Sequence, residues 1–79
     1  MSYQISESEL VEYLLFYTTP NRAARMAREI FANDYYYEVE RYTSEMYFVV
    51  NSNSIGGFIE ISIMNSFREV IPGRTVRFH

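Results

Sequence analysis

The chain predicts an α+β fold, two N-terminal helices packed on one face of an antiparallel β-meander of three to five strands. Three observations carry that expectation. Apolar residues recur with helical period as far as Ala32 and with a period of two from Tyr35 onward. The two helical stretches open on recognisable capping signals, Ser6-Glu7-Ser8-Glu9 and Thr18-Thr19-Pro20. The strand-like stretches are separated by short polar or glycine-containing segments.

Met1 to Ile5 reads either as a lead-in or as an edge strand with Tyr3 and Ile5 facing inward. Ser6 and Glu9 then have the spacing of a capping box, with Ile5 and Leu10 placed as a hydrophobic staple. The first helix is predicted over about 7–17, with Leu10, Leu14 and Tyr17 on its buried stripe and Val11 and Leu15 beside them. Thr19 as N-cap and Pro20 at the first helical position start the second helix, since proline lacks an amide that would be unsatisfied there. This helix runs over about 20–32 and stops at Asn33-Asp34, a left-handed C-terminal signal. Strands follow at about 35–43, 46–51 and 58–64, the last burying Ile59, Ile61 and Ile63. Two further short strands, 67–71 and 74–78, flank Pro72-Gly73, which has the form of a type II turn. Residues 1–79 thus form one domain.

A chain of 79 residues buries only about 60–65% of its unfolded surface, so aromatic bulk must make up for length. Aromatic residues are 18% of the chain, and this surplus over what a short core needs predicts a homodimer. There is no cysteine, which excludes disulfides, thiolate chemistry and cysteine-based zinc sites. All seven basic residues are arginine, whose planar fork suits carboxylates, phosphates and aromatic faces. A net charge of −3 argues against bulk electrostatic binding of duplex DNA. The longest apolar run near the N-terminus, Tyr13 to Tyr17, is too short to span a bilayer, and a cytoplasmic location is expected, with no membrane partner.

Two surfaces stand out. Arg22, Arg25 and Arg28 share one face of the second helix, either as a solvated face with an Arg25–Glu29 pair or as a grip for carboxylates and phosphates. With helices on one side of the sheet only, Tyr36, Tyr42, Tyr47, Val49 and Phe58 are expected on the other, interleaved with Glu38, Glu40 and Glu60. That face serves either as a protein interface or as a set of stabilising cross-strand pairs. The loop 51–57 lacks any phosphate-cradling glycine pattern. The single histidine is the C-terminal His79, no nucleophile–base pair is apparent, and no His/Asp/Glu cluster has metal-ligand spacing. No catalytic residue, metal or cofactor is therefore assigned.

Small size, acidic balance, aromatic richness and the lack of a catalytic constellation resemble, in kind, the small inhibitor proteins of phages and mobile elements, including the anti-CRISPR proteins. That resemblance implies a non-enzymatic inhibitor or adaptor that occludes a nuclease or effector complex, and it transfers no residues. Separately, the Thr18-Thr19-Pro20 turn and the arginine-bearing second helix resemble a helix-turn-helix, which implies nucleic-acid binding through Arg22, Arg25 and Arg28. A small-ligand binder or an enzyme of unrecognised type is the third expectation.

Overall fold

The structure, a computed structural model, describes residues 3–79. Helix α1, Glu7–Leu14, begins as predicted: the Ser6 hydroxyl accepts from the Glu9 N–H, and the Glu9 carboxylate accepts from the Ser6 N–H, each at 3.1 Å. It ends three residues before the predicted Tyr17, with Leu15 as its C-cap. The Phe16 N–H turns to the Tyr13 carbonyl and the Tyr17 and Thr18 N–H groups to that of Leu14. This tightening swings Tyr17 onto the Phe48 and Tyr42 rings, whereas Leu15, expected beside the buried stripe, lies half-exposed. Helix α2, Pro20–Ala32, has the Thr19 cap and buries Ala23, Met26, Ala27 and Ile30. Its end is not left-handed. Asn33 is extended (φ −124°), its side chain donates to the Glu29 carbonyl at 2.6 Å, and the chain runs directly on into the sheet.

Four strands, β1 (Tyr35–Arg41), β2 (Tyr47–Asn53), β3 (Phe58–Met64) and β4 (Val70–Phe78), pair antiparallel in the order β1-β2-β3-β4. The predicted α+β meander is thus the fold, with changed boundaries. β2 runs on through Ser52 and Asn53, and the two predicted C-terminal strands are one. Pro72-Gly73 is a bulge inside β4 rather than a turn: between the pairs Ser62↔Thr75 and Met64↔Val70, β3 advances two positions and β4 five. Gly73 takes φ +77°, the conformation that lets the surplus residues loop out. The reversal itself is at Asn65–Glu69, where the Asn65 carboxamide oxygen accepts from the Phe67 and Glu69 N–H groups and Arg68 adopts φ +64°.

One core lies between the helices and one sheet face. Leu10, Leu14, Ala23, Met26, Ala27 and Ile30 from the helices meet Phe48, Val50, Ile59, Ile61 and Ile63 from β2 and β3. The small side chains of Ala23 and Ala27 on α2 are fully buried within this core. Tyr3 packs its ring edge-on against Phe31, and the Gln4 and Ile5 N–H groups donate to the His79 carbonyl at 2.8 and 2.9 Å. Residues 3–5 are therefore a lead-in fastened to the C-terminus, not a strand; Met1 and Ser2 of that expectation lie outside the described residues.

A candidate interaction surface

β1 presents its faces opposite to the expectation. Its partners in register, Glu38↔Val50 and Glu40↔Phe48, fix the even-numbered side chains on the helix side. Tyr36 and Tyr42, predicted on the open face with Glu38 and Glu40, instead pack at the rim of the core. The two glutamates are tolerated there because α2 brings cations to them. Arg25 forks onto Glu38 (Nη2–Oε2 2.7 Å, Nη1–Oε1 3.2 Å) and reaches Glu40 Oε1 at 3.3 Å, while Arg22 pairs with Glu40 Oε2. The Tyr36 hydroxyl donates to Glu38 Oε1 at 2.9 Å.

The electrostatics follow from that packing. The Arg25 hydrogen bonds hold the Glu38 carboxyl down to a pKa of about 2, against the partial burial that opposes ionisation. Glu40 moves the other way, raised by its neighbour Glu38 and by burial, with Arg22 opposing. Burial first, and then the Glu38 carboxylate, raise the Tyr36 hydroxyl. The predicted arginine stripe is thereby split. Arg22 and Arg25 are structural clamps between helix and sheet, and Arg25 makes no pair with Glu29. Arg28 remains exposed and makes no ion pair among the described residues. Of the three arginines in that stripe, Arg28 is the one left without an ion pair among the described residues for a helix-turn-helix surface.

The outer sheet face carries what the expectation missed. Register places four rows across it: Tyr35–Asn53–Phe58, Tyr37–Asn51–Glu60–Arg77, Val39–Val49–Ser62–Thr75 and Arg41–Tyr47–Met64–Val70. Tyr47 and Phe58 are here as predicted, each capped by guanidinium groups. Arg41 and Arg68 lie 4.6 and 4.7 Å from the Tyr47 ring centre, and Arg77 lies 4.2 Å from that of Phe58. Tyr35 and Tyr37 stand 64% and 70% exposed, with no helix over them. Between the row of Tyr37 and Arg77 and the row of Arg41 and Tyr47 runs a floor of smaller side chains, with Ser62 and Thr75 hydroxyls bonded at 2.9 Å. Four residues separate those rows along β1, β2 and β3, a spacing of about 13 Å, and the bulge raises this to seven on β4. With Glu38 and Glu40 on the other side, the acid on this face is Glu60, which lies 3.8 Å from Arg77.

Tyr35, Tyr37 and Arg41 were visible to sequence as one period-two face; Arg77 alternates with Thr75, but nothing in the sequence singles out Arg68, which the hairpin delivers. Two other features are less organised. An open cleft of about 540 Å³ lies between the α1–α2 turn and the end of β1, lined by Phe16, Tyr17, Arg22, Glu40 and Tyr42. The loop after β2 is a turn held by Asn53, whose carboxamide oxygen accepts from the Gly56 N–H at 2.8 Å. Among the described residues no group of three or more His, Asp or Glu side chains is placed to hold a metal ion, and no helix is long and apolar enough to cross a membrane. Compared with known proteins, the chain matches no family model, no curated protein and no solved structure.

Proposed function

We infer that the chain is a non-enzymatic protein-binding module that occludes or bridges a partner with the outer face of its sheet. The observation that carries this reading is the composition of that face: exposed Tyr35 and Tyr37, and Tyr47 and Phe58 stacked under Arg41, Arg68 and Arg77. Tyrosine and arginine dominate the energetics of protein interfaces because each offers large, stiff contact area together with hydrogen-bonding groups. Guanidinium groups already stacked on rings lose little freedom on binding, so contact there costs less entropy. In kind, this resembles those small phage inhibitors of the anti-CRISPR type that work by covering a site.

A second reading is favoured by one observation, the withdrawal of Glu38 and Glu40 to the helix side. It leaves Arg41, Arg68 and Arg77 against Glu60 on a face with stackable rings, which suits single-stranded nucleic acid. Affinity capture from a lysate of the source cells, with and without nuclease treatment, separates the two. A protein retained after nuclease, at unchanged yield in high salt, supports the protein-binding reading. Capture that disappears with nuclease, or that falls steeply with salt, favours nucleic acid.

A further inference from the structure

The two edges of the sheet are built differently. β4 carries the Pro72-Gly73 bulge, a device that blunts an edge against further pairing. β1 has seven residues without proline, glycine or bulge, and its inward-pointing charges, Glu38 and Glu40, are already paired with Arg25 and Arg22. Its free side can be identified from the hydrogen bonds at its ends. The Tyr42 N–H donates to the Met46 carbonyl and the Ser54 N–H to the Asp34 carbonyl, both at 2.9 Å, and both pairs continue the β1–β2 register. Hydrogen-bonded pairs alternate along an antiparallel ladder. Tyr36, Glu38 and Glu40 therefore turn their backbone groups toward β2, and Tyr35, Tyr37, Val39 and Arg41 turn theirs away from the sheet.

We propose that two copies of the chain join edge to edge along β1, antiparallel about a two-fold axis at Glu38, into one continuous eight-stranded sheet. This register is the one in which the whole of Tyr35–Arg41 overlaps, and it forms about eight backbone hydrogen bonds between the copies. On the outer face it sets Tyr35 against Arg41 of the second copy and Tyr37 against Val39, an arginine–aromatic and an aromatic–aliphatic pair, each favourable across strands. On the helix side it brings Glu38 against Glu38, and each carboxylate comes with its own Arg25 at 2.7 Å and Tyr36 hydroxyl at 2.9 Å. The two outer faces become one surface with both helix layers on the other side. The pairing does not depend on what that surface binds.

The test is a molar mass by light scattering at high micromolar concentration, followed by two sets of variants. The wild type is expected at twice the 9.4 kDa chain mass. Val39→Pro removes an outward N–H and leaves the β1–β2 ladder whole, so it is expected at the chain mass with unchanged circular dichroism. Because the chain has no cysteine, Tyr37→Cys with Val39→Cys is expected to form an inter-chain disulfide on mild oxidation, whereas Tyr37→Cys alone is not. A wild type at the chain mass overturns the proposal, as does a dimer that survives in folded Val39→Pro. Cross-linking by Tyr37→Cys alone overturns the register by placing the axis at that residue. If Val39→Pro fails to fold, the cysteine pair decides: no covalent dimer sinks the proposal.

Discussion

Arg25 joins helix to sheet through a forked contact with Glu38 and a second contact with Glu40, and it leaves Glu38 ionised down to a pKa of about 2. Glu38 in the unfolded chain titrates near 4.5, so its contribution to stability is present above that pH and is lost as pH falls from about 4.5 to about 2. Glu40, whose pKa is raised, contributes with the opposite sign: its share is present below 4.5 and is lost as pH rises through its folded pKa. The wild type is expected to weaken on the acid side, and Arg25→Ala to lose about 1 kcal/mol at neutral pH. Without Arg25, Glu38 and Glu40 repel each other, so acid should no longer weaken the variant. Urea unfolding across this pH range measures both effects. These residues also mark what sequence could not decide. The alternation of Tyr and Glu along β1 was legible, but both faces mix aromatic with charged side chains. The cations that admit Glu38 and Glu40 to the helix side lie 13 to 18 residues away on α2.

At the scale of elements, the local signals located starts better than stops. The Ser6 and Thr19 caps are contained in a few adjacent residues, and both helices begin where they place them. α1 stops early because Tyr17 finds a place against Phe48 and Tyr42, which only the folded sheet supplies. Pro72-Gly73 has the same local chemistry in a turn as in a bulge. What decides between them is that the segments on both sides pair with β3, a non-local fact. At Gly73 a Cβ would meet no atom within 4 Å, so the constraint is purely the positive φ. Gly73→Ala is accordingly expected to destabilise by about 1 kcal/mol through backbone strain, and Gly73→Asn by less, since asparagine tolerates the left-handed region. Thermal unfolding of the two variants against wild type gives the comparison.

For the whole molecule, charge is sorted between the two sides of the sheet. Arg22 and Arg25 are consumed in holding the helix layer down, while Arg41, Arg68 and Arg77 are stacked on rings on the side without helices. A net charge of −3 conceals this sorting, because total charge carries no information about faces. Large exposed side chains at the turns, Phe16 at 75% and Phe67 at 81%, border the molecule but lack the arginine–aromatic organisation of the open face. The most direct measurement is the affinity for the captured partner, by titration calorimetry, of Tyr47→Ala with Arg68→Ala and of Arg28→Glu. The outer-face pair should weaken binding by about 2 kcal/mol or more, roughly thirtyfold, with native circular dichroism, while Arg28→Glu leaves it within about twofold. Full affinity in the outer-face variant together with loss in Arg28→Glu would contradict the account and return the function to the helix.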